Sequence, residues 1–188
     1  MSRRVPWLIG LALLLGAALP AGAGAPGEAD ARAAHRLWKE AAGLHLEGRY
    51  EDAVSLYRRA LARHPTARIH NYLAWSLSEL DRYREAADHA RKAIALDPSY
   101  PNAYNDLGAY LIELGQPRDA EPWLRRAMAM EGYCCPHFAH YQMGRALLLE
   151  GRVNAASKEL RRALAIHPRY RPAVELLREI RRRELQGT

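Results

Sequence analysis

Residues 101–130 read PNAYNDLGAYLIELGQPRDAEPWLRRAMAM, and this segment holds the strongest structural pattern in the chain. Its apolar positions recur at spacings of three and four residues, which predicts two amphipathic α-helices with a turn near Gly115. Neither helix could bury its apolar stripe alone, so the pair is expected to pack against further helices. The positions are Tyr104, Leu107, Gly108, Leu111, Ala120, Leu124 and Ala127.

The same pattern recurs with a period of about 34 residues. Small residues form three columns, and the spacings within each column are 33, 34 and 36 residues. The columns are Ala41, Ala74, Gly108 and Gly144; Ala53, Ala86, Ala120 and Ala156; and Ala60, Ala93, Ala127 and Ala163. Proline closes three of the units, because it cannot continue a helix; these prolines are Pro65, Pro98 and Pro168. The sequence thus predicts four units, at about 34–66, 67–100, 101–136 and 137–170.

The columns resemble the tetratricopeptide repeat (TPR) family over residues 34–168. The resemblance implies an all-α fold, a TPR-type helical solenoid of four helix-turn-helix units plus a C-terminal capping helix. We expect residues 170–188 to supply that capping helix and a basic tail. Its arginines are either a solvated face or a contact for an anionic partner. The resemblance also implies a non-catalytic module, since similar arrays bind extended peptides or partner helices along a concave face.

The repeat register places a set of polar and aromatic side chains on that concave face. Asparagine suits peptide binding because its amide both donates and accepts hydrogen bonds, and aromatic side chains add contact area at low entropic cost. The alternative is that the tryptophans pack between units and the asparagines bond only within the array. The candidate groove residues are Trp38, Asn71, Trp75, Asn105, Tyr141 and Arg145, and the register also places His45 and Phe138 there.

The N-terminal segment has the pattern of a secretory signal. Arg3 and Arg4 precede an uncharged run over residues 5–19, and Ala21-Gly22-Ala23 fits a small-residue cleavage site. We expect residues 1–23 to be removed and residues 24–33 to form a short linker. The run of 15 residues is shorter than the ~20 that a membrane-spanning helix needs. The expected location is therefore exported, periplasmic or envelope-associated, by the general or the twin-arginine route, with no stable transmembrane span after cleavage and no cysteine for lipidation.

Composition and motifs exclude several functional classes. The net charge of +7 is unevenly placed, and a nucleic-acid reader would show a broader basic surface with interleaved aromatic residues. Two cysteines cannot build a disulfide scaffold. The sequence has no glycine-rich phosphate loop and no G-x-S-x-G or H-E-x-x-H motif. We therefore expect a protein or peptide partner, no nucleic acid, no cofactor and no enzymatic activity.

An irregular segment interrupts the repeats between the third and fourth units. It contains Cys134, Cys135, His137 and His140, whose thiolates and imidazoles suit zinc or copper. Adjacent cysteines rarely ligate one metal together, and in an oxidising compartment they can instead form a disulfide with each other or with another chain. The third interpretation is a loop without such chemistry. A small metal- or thiol-dependent protein is therefore the alternative function, and the longer loop marks a distinctive surface.

The same segment carries a narrower resemblance. Ala103 to Gly108, the glycine turn and then Gly132-Tyr133-x2-Pro136 resemble the PilF/PilW/Tgl family of TPR proteins. Members of that family help type IV pilus secretins to assemble. The family is typically lipidated at an N-terminal cysteine, which this sequence lacks. The resemblance implies an exported scaffold that assists assembly of a cell-envelope machine.

Overall fold

The computed structural model describes residues 26–186, and within them the chain is helical with no strand. The helices are α1 (Pro26–Leu46), α2 (Tyr50–Arg63), α3 (Ala67–Ser78), α4 (Tyr83–Leu96), α5 (Pro101–Glu113), α6 (Pro117–Ala129), α7 (Pro136–Leu149), α8 (Val153–Ile166) and α9 (Arg171–Gln186). Turns of three or four residues join α1 to α2, α3 to α4, α5 to α6 and α7 to α8, so each pair runs antiparallel.

The pairs stack in chain order into a solenoid. Each helix contacts the next one along the chain, and α1, α3, α5 and α7 also contact one another in sequence. These four helices form the inner layer, while the even-numbered helices lie outside. The last helix, α9, packs on α8 through Ala173 and Ile180. The predicted all-α solenoid with a capping helix is therefore confirmed.

The small-residue columns mark the closest helix contacts. Ala53, Ala86, Ala120 and Ala156 have no exposed surface. Large residues fill the space beside these columns, among them Leu73, Leu107, Leu124 and Leu160, which are also fully buried. This alternation of small and large residues lets the helices of a pair approach each other closely.

The turn within each helix pair contains one residue in the left-handed conformation. Gly115 has a φ of 73° between α5 and α6, where glycine avoids the strain of a Cβ. Asp81 holds the equivalent place between α3 and α4 with a φ of 56°. Its carboxylate accepts a hydrogen bond of 2.8 Å from the hydroxyl of Tyr83. Aspartate tolerates this conformation better than most residues, so the turn forms without a glycine.

The expected linker at residues 24–33 is wrong from Pro26 onward, because residues 26–33 belong to α1. Asp30 faces Arg63 of α2 at 3.4 Å, and Ala34 is buried against the first pair. These contacts extend the first helix beyond the predicted repeat. The expected signal at residues 1–23 lies outside the described residues. Within residues 26–186, no helix combines the length and the apolar character that a membrane span requires.

The third pair is followed by an irregular connection of six residues, 130–135, between α6 and α7. We call it the insertion. The corresponding connections after α2 and α4 have three and four residues. Tyr133 packs against the main core, and Gly132 turns the chain with a φ of 74°. The extra length brings the insertion to the inner layer, where it lines the site described next.

Candidate functional site

A cavity of about 290 Å³ opens on the inner layer between α3, α5 and the insertion. We call it the central cavity. Two of its sides come from successive repeats, and a third comes from the insertion and the start of α7. Its lining includes Asn71, Trp75, Asn105, Asp106, Tyr133, Cys134, Cys135 and Phe138. The irregular loop after the third unit is thus part of a candidate binding site.

The floor of the central cavity is a small polar network. Asn71 Nδ2 donates to Asp106 Oδ2 at 2.9 Å, and Asn105 Nδ2 donates to Asp106 Oδ1 at 3.0 Å. Because an ionised carboxylate only accepts hydrogen bonds, both amide nitrogens must face it. The two amide oxygens are buried and have no hydrogen-bond partner among residues 26–186. Asn71 and Asn105 are only 5% and 8% exposed, so each unpaired oxygen costs about 1–3 kcal/mol.

Asp106 has no ion-pair partner within residues 26–186. Burial raises the pKa of its carboxyl above the ordinary value, while the hydrogen bonds from Asn71 and Asn105 act in the opposite direction. The same carboxylate raises the pKa values of the Tyr100 and Tyr133 phenols, although burial is the larger cause for both. The central cavity therefore holds a carboxylate that no cation of residues 26–186 neutralises.

Aromatic rings form the walls of the central cavity. Trp75 is 44% exposed even though its indole packs on His45, with ring centroids 4.3 Å apart, and lies 6.1 Å from Tyr72. Packing between repeats and an accessible surface therefore coexist at Trp75. His45, expected on the groove, is instead buried between repeats, where its Nδ1 lies 2.9 Å from the Ser76 hydroxyl. Phe138 closes the far side.

Trp38 lines a neighbouring cavity of about 590 Å³ between α1 and α3. We call it the Trp38 cavity, and it shares Tyr100 with the central cavity. The guanidinium of Arg68 lies 5.7 Å from the Trp38 ring centroid, and Tyr72 meets that ring edge to face at 5.4 Å. The indole N–H of Trp38 is buried and has no hydrogen-bond partner in the part of the chain that the structure describes. Trp38 therefore both packs between repeats and leaves one donor free.

Tyr141 and Arg145 lie elsewhere, in a third cavity of about 290 Å³ beside α9. Arg145 donates to Glu113 at 2.7 Å and to Gln142 at 3.0 Å, while Tyr141 packs edge to face on Tyr170. The six predicted groove residues thus fall into three cavities. Asn71, Trp75 and Asn105 share the central one, and the other three do not.

The four candidate metal ligands do not converge. Cys134 Sγ and Cys135 Sγ lie 2.7 Å apart at the central cavity. The His137 ring instead packs on His167 at 4.9 Å, and His140 pairs with Glu159 at 2.8 Å. Within the described part of the chain, no three histidine, cysteine or acidic side chains group as metal ligands would. The spacing of three residues places both histidines on α7, where each has a partner other than the thiols.

Two tetratricopeptide repeat family models match the chain, one over residues 47–101 and the other over residues 89–130. The chain is a tetratricopeptide repeat protein. The matched region runs from the end of α1 to the end of α6, so it contains both asparagines and Asp106 of the central cavity. The recurrent spacing of small residues is thus explained by this family.

Relatives and solved structures extend the comparison. The TPR protein is 32% identical over 92 residues to the inactive TPR repeat-containing thioredoxin TTL3 of Arabidopsis thaliana, a match that covers 48% of the chain and 13% of that relative. The chain therefore spans 13% of the length of this curated relative. Its fold is similar to that of PilF from Pseudomonas aeruginosa, with a TM-score of 0.76 and 20% identity over 84% of the chain and 72% of PilF.

A second solved structure is that of PilW, a widely conserved type IV pilus biogenesis factor. The TM-score is 0.75 and the identity is 22%, over 79% of the TPR protein and 68% of PilW. At these identities the likeness is one of fold.

Sequence reasoning missed Asp106, which links the asparagines of two repeats in this TPR protein. In the sequence, Asp106 reads as an ordinary acidic residue of a helix. The one feature of the sequence that points to Asp106 as a site residue is its position directly after Asn105, which the register assigns to the inner face. Tyr133 belongs to the insertion, and its place in the cavity wall depends on the path of that loop.

Proposed function

We propose that this TPR protein is a non-catalytic scaffold that binds an extended protein or peptide segment along its inner layer. The observation that carries the proposal is the pair of buried, unpaired amide oxygens of Asn71 and Asn105 beside the half-exposed Trp75. A peptide crossing the inner helices would bring hydrogen-bond donors of its backbone or its side chains to such acceptors. Extended concave surfaces of this kind are the usual binding faces of helical repeat proteins.

The dimensions of the inner layer suit an extended ligand. The Trp38 cavity and the central cavity are contiguous through Tyr100, and the third cavity lies at α7 and α9. Four inner helices about 10 Å apart span about 30 Å. That distance corresponds to about ten residues of extended chain. One segment of this length would therefore cross all three cavities.

We infer further that the scaffold acts in the cell envelope, in the assembly of a machine such as a type IV pilus or its secretin. Arg3, Arg4 and the apolar run that follows them support export. The fold likeness to PilW, a type IV pilus biogenesis factor, supports the assembly role. The metal-dependent alternative gains no support from the geometry, because no three histidine, cysteine or acidic side chains of residues 26–186 group as metal ligands would.

Site-specific photocrosslinking tests the binding face. A photoreactive phenylalanine analogue replaces Trp75 at the central cavity, and in a matched variant it replaces Arg59, an exposed residue of the outer helix α2. Both variants are expressed in the native host and irradiated in intact cells. We expect a discrete adduct from position 75 and none from position 59.

Equal crosslinking from both positions would contradict a specific inner face. A third variant carries the analogue at Arg178, an exposed residue of α9. It examines the basic face of that helix. An adduct from Arg178 alone would assign the partner to the capping helix and overturn the proposal.

A further inference from the structure

The floor of the central cavity has an excess of hydrogen-bond acceptors. The Asp106 carboxylate accepts one bond from each asparagine, which leaves part of its accepting capacity unused. The amide oxygens of Asn71 and Asn105 are buried, and no donor of the described residues reaches them. An occupant that satisfies this floor must therefore donate several hydrogen bonds and accept few.

The charge of the floor restricts the occupant further. Asp106 has no cation partner within residues 26–186, and the basic residues nearest along the inner layer are already engaged. Arg68 lies over Trp38, and Arg145 pairs with Glu113. A neutral donor such as a backbone N–H would leave the buried carboxylate without compensation, whereas a cation would supply both charge and donors.

The walls favour a cation as well. Aromatic rings present a negative face that attracts ammonium and guanidinium groups. Five aromatic side chains line the central cavity, namely Tyr72, Trp75, Tyr100, Tyr133 and Phe138. The adjoining Trp38 cavity already shows this contact within the chain, with the Arg68 guanidinium 5.7 Å from the Trp38 ring centroid.

We propose that the central cavity takes a basic side chain of the bound partner, with arginine preferred over lysine. The guanidinium would donate to Asp106 and to the amide oxygens of Asn71 and Asn105, and its plane would stack on the aromatic wall. Arginine suits this floor because it offers five N–H donors in a planar fork, whereas lysine offers three from one point. This inference rests on the proposed function and names the residue type that the groove selects.

The first test uses degenerate decapeptides with acetylated and amidated ends, in which one position at a time is fixed as arginine, lysine, citrulline, norleucine or glutamate. Fluorescence anisotropy measures their binding to the full chain. At one position we expect arginine to bind most tightly, lysine less tightly, and the neutral citrulline about tenfold more weakly than arginine. In Asp106→Asn this preference should disappear, while Glu40→Gln, which removes an exposed carboxylate from α1, should retain it.

The second test uses the unaltered chain and therefore does not depend on the folding of a variant. N-acetyl-arginine amide and its citrulline counterpart are titrated, and NMR follows the Trp75 indole and the side-chain amides of Asn71 and Asn105. We expect saturable shifts with the arginine compound and none with the citrulline compound.

The outcomes separate the two proposals. Peptides that bind without a basic preference, together with no shift from the arginine compound, overturn the cation site and leave peptide binding standing. Shifts from the arginine compound without binding of any peptide support the cation site and overturn the proposed function. Absence of both responses overturns both.

Discussion

Leu124 of α6 occupies the space that a side chain at position 108 of α5 would need. A Cβ added to Gly108 would lie 2.5 Å from Leu124 Cδ2 and 2.6 Å from Leu124 Cγ. The next repeat shows the same relationship, with a Cβ on Gly144 placed 2.8 Å from Leu160 Cδ2. Glycine at positions 108 and 144 of this column is therefore required by the approach of the two helices.

We expect Gly108→Ala to destabilise the protein by about 1–3 kcal/mol, because the buried Leu124 must shift. The control is Gly43→Ala in α1, where an added Cβ meets nothing within 4 Å. That change should be neutral or stabilise the helix by up to about 1 kcal/mol. Thermal unfolding followed by circular dichroism measures both. Equal melting temperatures for the two variants would refute the packing argument.

The alanine columns should be equally intolerant of larger residues. Ala86→Leu and Ala120→Leu each place three additional carbon atoms where no surface is exposed, at an expected cost of about 1–3 kcal/mol. Ala129→Leu, at an exposed position at the end of α6, serves as the control and should change little. Chemical denaturation gives the comparison. If the variants at positions 86 and 120 are as stable as the control, the columns do not mark close contacts.

Acid should destabilise the pair formed by His70 and His89, whose Nδ1 atoms lie 2.8 Å apart. Burial lowers the pKa of His70. Burial also lowers the pKa of His89, to about 4. The charges of His70, Lys92 and Arg58 lower the pKa of His89 as well, whereas Glu85 raises it. The unfolded histidines, with a pKa of about 6.5, bind protons before the folded ones do. Stability is therefore complete above pH ~6.5 and is lost as the pH falls towards about 4.

Denaturation at pH 7 and pH 5 checks this expectation. The double variant His70→Gln/His89→Gln should lose less stability between the two pH values than the wild-type chain. Part of the loss will remain, because burial also lowers the pKa values of His45 and His137. His64→Gln, at an exposed position after α2, should leave the loss unchanged. A double variant as acid-sensitive as the wild type would exclude this pair as a source.

Partner binding should depend on the asparagines of the central cavity. Asn105→Ala removes an acceptor and one donor to Asp106, so we expect binding to weaken by about 1 kcal/mol or more. Asn154→Ala, at an exposed position on α8, should have no effect. Circular dichroism first confirms that both variants fold. A pull-down then measures how much each variant captures of the partner that photocrosslinking identified. Unchanged capture by Asn105→Ala would place binding elsewhere.

Export should remove residues 1–23. N-terminal sequencing of the protein isolated from the native envelope should begin at Gly24, which follows the Ala21-Gly22-Ala23 site. Replacing Ala23 with a large residue should slow processing, because signal peptidases require a small residue there. A cytoplasmic pool that retains Arg3 as the sole form of the protein would refute export.

The fold could be predicted from the sequence because its determinants are local and repeated. The columns through Ala86, Ala120 and Gly108 recur at a nearly fixed spacing, and each reports a contact between adjacent helices. The extension of α1 was missed because it depends on contacts with α2, such as that between Asp30 and Arg63.

The site was only partly predictable, because it depends on contacts between repeats. Asn71 and Asn105 were assigned to the inner face from the register alone. Their connection through Asp106 is invisible in the sequence, since Asn71 and Asp106 are 35 residues apart. The separation of Tyr141 from these residues was also hidden, because it depends on the path of the insertion between α6 and α7.

The stack of helix pairs has a mechanical consequence. Because each helix contacts only near neighbours along the chain, the ends can fray without opening the middle. Amide hydrogen exchange should therefore be graded, fastest in α1 and α9 and slowest in α4 to α6. A segment bound across α3, α5 and α7 would join repeats that otherwise meet only in chain order. The bound partner would then slow amide hydrogen exchange along the whole array. It would make the solenoid stiffer with little change in its shape.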